Sequence, residues 1–151
     1  MVTNTRLEEI LEFAIDREQE AIDFYLELAE KVAAPAMKDV FKQFAGEERG
    51  HKSKLQAVKA GRQQLTPPGK LPNLALSDYL VAEEPSDEMS YQDALILAMQ
   101  REKAAFRLYT DLAREVNAGE MRELLLALAQ EEAKHKLRFE VEYDQQVLKD
   151  N

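Results

Sequence analysis

Apolar residues recur along this chain in alternating steps of four and three, the spacing of one face of an α-helix. The pattern fills four stretches and predicts helices at about residues 5–32, 35–60, 90–116 and 119–148. Thr5 and Glu8 have the form of a capping box at the first start. Ala33-Ala34-Pro35 interrupts the pattern, with Pro35 suited to be the first residue of the next helix. Ala60-Gly61 offers a stop for the second helix, Ser90 with Asp93 a start for the third, and Asn117-Ala118-Gly119 a tight break before the fourth.

The halves repeat. Shifting the chain by 84 residues aligns 14–58 with 98–142 without a gap and gives 15 identities in 45 positions. Ordinary composition would give about three. The matches include Glu18/Glu102, Tyr25/Tyr109, Glu48/Glu132 and His51/His135. Each half is therefore a helical hairpin, and the chain reads as one all-α domain over 1–151, a four-helix bundle made of two such hairpins. The connection between them, about 62–89, is far longer than an up-down-up-down bundle needs. It is long enough to travel the roughly 40 Å of a 27-residue helix, so helices two and three are expected to run parallel. Leu71, Leu74, Leu76, Tyr79, Leu80 and Val81 are expected to pin this crossover to the bundle, or else to form part of a partner surface.

Charged residues break each seam at one place. Helix one reads Leu7, Leu11, Ala14, Glu18, Ala21, Tyr25, Leu28, Val32, and helix three Tyr91, Leu95, Ala98, Glu102, Ala105, Tyr109, Leu112, Val116. Helix two reads Met37, Phe41, Phe44, Glu48, His51, Leu55, Val58, and helix four Met121, Leu125, Leu128, Glu132, His135, Phe139. Glu18 and Glu48 both lie about 15 residues, or some 22 Å, from the turn that joins their helices, and Glu102 and Glu132 repeat this spacing. All four carboxylates and the chain's two histidines are thus expected in one layer near mid-bundle.

An isolated Glu-x-x-His on a helix is ordinarily a surface pair. Six such residues on core seams at one height are not, because four ionised carboxylates in a dry core need protons, cationic side chains or metal. No Lys or Arg falls on the seams, and neutral imidazoles are metal ligands. Two divalent cations would balance the four charges. Tyr25 and Tyr109 follow their glutamates by two turns, so each hydroxyl either reaches the site or belongs to an ordinary core aromatic. Glu47 and Glu131 lie just off the seams and are expected to flank the site rather than bind metal.

Composition narrows the chemistry. The net charge of −9 argues against a nucleic-acid partner. The absence of cysteine removes thiolate zinc sites, iron–sulfur clusters and thiol catalysis. Oxygen-rich ligation with one nitrogen per metal suits iron or manganese and tolerates zinc. The N-terminus has no leader pattern and no apolar run reaches about 18 residues, so no membrane association and a cytoplasmic location are expected.

A glutamate from each of two helices and Glu-x-x-His from each of the other two is the ligand pattern of ferritin-like di-iron bundles. The sequence resembles the rubrerythrin-like branch of that superfamily through Ala14-x-x-x-Glu18-x-x-Ala21-x-x-x-Tyr25, Glu47-Glu48-x-x-His51 and their second copies. The resemblance implies two iron ions held by Glu18, Glu48, His51, Glu102, Glu132 and His135. It also implies bridging roles for Glu48 and Glu132, and Tyr25 and Tyr109 as hydrogen-bond donors behind the ligands. Rubrerythrins proper add a cysteine-ligated rubredoxin domain and a ligand glutamate three residues after the helix-three glutamate. Here cysteine is absent and that position is Ala105, with Ala21 as its repeat mate, so the sequence departs from the family's pattern at both points.

The implied function is reduction of hydrogen peroxide or O2 with electrons from an external donor such as a rubredoxin-like protein. The alternatives are iron oxidation and handling of the ferritin type, and a structural bundle stapled by metal. A homodimer is the expected assembly, and a 24-subunit shell is not expected, because the chain ends soon after helix four without the short extra helix of ferritin cages.

Overall fold

The computed structural model describes residues 5–65, 74–81, 84–86 and 88–150. Four long helices carry the fold: α1 (Thr5–Lys31), α2 (Pro35–Leu65), α3 (Tyr91–Glu115) and α4 (Glu120–Asp150), with a short 3-10 helix at Leu76–Tyr79. No strand occurs among the described residues. Within each hairpin, α1 packs along α2 and α3 along α4.

The core consists of two apolar clusters. One joins the start of α1 (Leu7, Leu11) to the end of α2 (Leu55, Val58) and the end of α3 (Leu108, Leu112). The other joins the end of α1 (Tyr25, Leu28) to the start of α2 (Met37, Phe41) and the start of α3 (Ala94, Leu95). Hence α2 and α3 run parallel, α1 is antiparallel to both, and the connection must return the length of the bundle. This is the ferritin-like arrangement expected from the sequence.

Local chemistry explains the ends. Pro35 opens α2, where its missing N–H leaves no bond unmade. The Ser90 hydroxyl accepts from the Asp93 N–H at 3.0 Å and caps α3. Gly119, at φ 141°, supplies the backbone turn that an L side chain would resist between α3 and α4. The capping box expected at Thr5 involves a side chain outside the described residues. The stop expected at Ala60-Gly61 is not used, and α2 continues to Leu65. Gly61 keeps a negative φ, so nothing forces the chain out of the helix there.

Repeat mates also close both hairpin turns. Lys38 Nζ donates to the Ala29 carbonyl at 2.8 Å, and Arg122 Nε donates to the Ala113 carbonyl at 2.9 Å. Arg122 adds a second bond, from Nη2 to the Val116 carbonyl at 2.5 Å. Both cations satisfy carbonyls at a helix C-terminus, where the helix dipole favours them. Arg122→Ala should therefore cost about 1.5–3 kcal/mol in denaturant unfolding, and Lys38→Ala less. Equal losses would show that the second bond contributes nothing.

The crossover is held at two points. The Arg6 guanidinium donates to the Leu74 carbonyl, and Tyr79 is buried with its hydroxyl on Asp111 Oδ2 at 2.6 Å. Leu74 and Leu76 pack on the first cluster and Val81 on the second. Leu80, expected to pin the segment, instead stands 53 % exposed. It follows a Tyr79 that points inward, and in extended backbone the next side chain points away. Leu71 lies outside the described residues.

Candidate metal centre

Between the two apolar clusters lies one polar layer. Glu18, Glu48, Glu102, Glu132, His51 and His135 are all buried. They divide into two sets whose donor atoms lie within 4.8 Å of one another: Glu18, Glu48, His51 and Glu132, and Glu48, Glu102, Glu132 and His135. Glu48 and Glu132 belong to both sets.

The distances explain that sharing. His51 Nδ1 lies 3.3 Å from Glu48 Oε1, 3.3 Å from Glu132 Oε1 and 3.6 Å from Glu18 Oε2. His135 Nδ1 lies 2.9 Å from Glu102 Oε2, 3.3 Å from Glu48 Oε1 and 3.7 Å from Glu132 Oε1. Donors bonded to one ion at about 2.1 Å lie roughly 3.0–3.4 Å apart, so these spacings suit a cation between them. Glu18 Oε1, Glu48 Oε1, Glu132 Oε1 and His51 Nδ1 are buried without a hydrogen-bond partner. Orphaned lone pairs of this kind are costly unless something positive satisfies them. The donor set therefore fits a pair of metal ions.

The rubrerythrin family model matches residues 9–143, a span that contains all six residues. The chain belongs to the rubrerythrin family. A solved structure of a hypothetical protein from Pyrococcus furiosus is similar at a TM-score of 0.72 and 30 % identity, covering 91 % of this chain and 88 % of that one. No curated protein matches the chain.

In this rubrerythrin-family site the two tyrosines cross between hairpins. Tyr25 donates to Glu102 Oε2 at 2.7 Å, and Tyr109 donates to Glu18 Oε2. Each tyrosine thus serves the glutamate of the other hairpin, which the pseudo-two-fold axis of the repeat requires once one of the pair is formed. Burial first, and then the facing carboxylates, push both phenols well above their ordinary value, so they remain hydrogen-bond donors.

Glu47 has a part that its place off the seam did not reveal. Its Oε1 lies 2.9 Å from His135 Nε2, while His135 Nδ1 faces the cluster. With Nε2–H donating to the Glu47 carboxylate, the Nδ1 lone pair is left for a metal, the usual outer support of a ligand histidine. Phe44 stacks on the same ring, with centroids 3.9 Å apart, and fixes its plane. Among the described residues, Glu131 has no contact of this kind with His51.

Without metal, protons take over the charge balance. Burial and the charge of Glu48 push Glu18 well above the carboxylate range, and Glu102 up to about 7. Burial and the charges of Glu102, Glu48 and Glu18 raise Glu132 strongly. Burial disfavours the charged form of Glu48 too, but the close approach of His135 and His51 outweighs it and holds that carboxyl well below its usual value. Burial works against both imidazolium ions, yet the adjacent carboxylates of Glu18 and Glu48 raise His51 to about 9, and those of Glu102 and Glu48 raise His135 to about 11.

A divalent cation must displace these protons. Loading at neutral pH should release protons from both imidazoles and from the raised carboxylates, and affinity should fall as pH drops. A dye in weak buffer reads this directly, and loading without proton release would contradict the assignment. Among the described residues no helix is long and apolar enough to cross a membrane.

Proposed function

We propose that the chain is a di-iron carboxylate oxidoreductase that reduces hydrogen peroxide, or O2, with electrons from an external donor. The observation that carries this reading is the pair of buried donor sets sharing Glu48 and Glu132. Glu18 and His51 would complete one metal position, and Glu102 and His135 the other. Manganese or zinc would fit the same donors, but of the three only iron and manganese change oxidation state.

When bound, the metal pair supplies two electrons toward an O–O bond. The protein's own residues do the rest. Glu48 and Glu132 set the spacing of the two positions, and Tyr25 and Tyr109 orient Glu102 and Glu18. Glu47 fixes the tautomer of His135, and the apolar clusters close the layer above and below. Reduction of one peroxide to two waters consumes two electrons and two protons. The chain has no cysteine with which to ligate a redox centre of its own. The electrons are therefore assigned to a separate one-electron carrier, such as a rubredoxin-like protein.

Anaerobic purification, metal analysis and rapid mixing with peroxide and with O2 separately test the proposal. Two iron ions per chain, oxidised rapidly by peroxide, are expected. A metal-loaded protein inert to both oxidants would overturn it. Light scattering of the same sample tests the expected homodimer.

A further inference from the structure

A cavity of about 80 Å³ opens between α1 and α3 and reaches inward to Glu18, Glu48, Glu102 and Glu132. Neither histidine lines it, so it approaches the centre from the side away from the imidazoles. Ala21, Ala104 and Ala105 are among its walls, and their small side chains leave the passage open. Its volume suits a few water-sized molecules.

The crossover roofs this cavity with Tyr79, Leu80 and Val81. Tyr79 is the anchor of that roof. Its hydroxyl donates to Asp111 Oδ2 at 2.6 Å, and Asp111 is itself held at Oδ1 by Arg114 Nη1 at 3.0 Å. The Arg107 guanidinium lies 5.8 Å from the Tyr79 ring centroid and adds a cation–π contact. Leu80 and Val81 follow directly in sequence, so their position over the cavity depends on this latch.

Among the described residues, charge at the cavity wall is balanced. Arg17 and Arg101, which are repeat mates, oppose Glu20 and Glu84, and Arg17 Nε lies 3.2 Å from Glu20 Oε1. An anion would gain no net attraction there and would then meet the inner carboxylates. A neutral molecule meets no such barrier.

We propose that this cavity is the substrate entrance, and that Tyr79, latched to Asp111, is a positioning residue that limits what enters to small neutral hydroperoxides. Hydrogen peroxide passes and bulky alkyl hydroperoxides are excluded. The inference rests on the peroxide-reducing function proposed above.

The test compares wild type, Tyr79→Phe, Asp111→Ala and the double variant, each loaded with iron or with zinc. Wild-type ferrous protein should be oxidised by hydrogen peroxide faster than by cumene hydroperoxide by about tenfold or more. Both single variants should narrow that ratio several-fold and should speed zinc release to a chromogenic chelator, a readout that involves no redox chemistry. The double variant should go no further than either single, since the Tyr79–Asp111 bond is already lost in each. Unchanged ratios and release rates, or additive effects, would overturn the latch while two metals per chain still supported the centre. Wild type binding fewer than two metals would overturn the centre, and the entrance with it.

Discussion

Glu48→Ala should strip both metal positions, whereas Glu18→Ala should weaken chiefly one. The asymmetry follows from membership. Glu48 and Glu132 contribute to both donor sets, Glu18 only to the set with His51, and Glu102 only to the set with His135. Removing Glu48 takes an oxygen that lies 3.3 Å from each imidazole Nδ1 and leaves both positions one ligand short. Metal content measured after dialysis should fall from two per chain to near zero for Glu48→Ala and Glu132→Ala. It should fall toward one for Glu18→Ala and Glu102→Ala. Peroxide-driven oxidation of bound iron should be abolished in the first pair. The outer residue Glu47 gives the scale below this: Glu47→Gln should lower affinity at the His135 position by about 10–100-fold and keep the site assembled. Equal metal loss across all four glutamates would mean that no carboxylate is shared.

Much of this arrangement was legible because helical periodicity fixes both face and height. The a/d seams placed all six polar residues inward, and the 84-residue repeat put them at one level. What periodicity does not encode is which neighbour a side chain meets across the bundle. The exchange of Tyr25 and Tyr109 between hairpins is such a case, since each tyrosine lies on the same seam as one glutamate and bonds the other. Glu47 is another. One residue off the seam, it reads as a flanking side chain, yet its length carries the carboxylate to His135 Nε2. The narrow seams also omitted Ile10, Phe24, Leu97 and Leu108, all buried, because a bundle helix hides a wider stripe than two positions in seven. The end of α2 was misplaced for a different reason. Glycine permits a helix stop but does not compel one, and α2 runs through Gly61 to Leu65.

Metal removal should have the largest effect on stability, and Glu132→Leu should reveal why. Two ions held at about a thousand times their dissociation constants would add about 4 kcal/mol each to the folded state. For a chain of this size that is a rise in Tm on the order of 15–30 °C. Removing the ions leaves the carboxylates and imidazoles to settle charge with protons. Glu18, Glu102 and both histidines have raised folded values, as does Glu132, so the folded apo-protein holds more protons than the unfolded chain. Their contribution is complete below the unfolded values. It is lost as pH rises through about 7 for Glu102, about 9 for His51 and about 11 for His135. Glu48 acts in the opposite sense, but only as pH falls through the acid range, because its folded value is depressed. The metal-free Tm should therefore decline from pH 6 to pH 9 while the metal-loaded Tm does not, and the gap between the two should widen. Glu132 is the carboxyl pushed up by three others, and as a protonated acid in the core it balances no positive charge. Exchanging it for leucine should leave the apo-protein as stable or up to about 4 kcal/mol more stable, while abolishing the gain from metal. Calorimetry of the four samples, wild type and Glu132→Leu with and without metal, separates these contributions. If the leucine variant lost stability in the absence of metal, Glu132 would have to be a structural partner of the imidazoles rather than a group kept for metal.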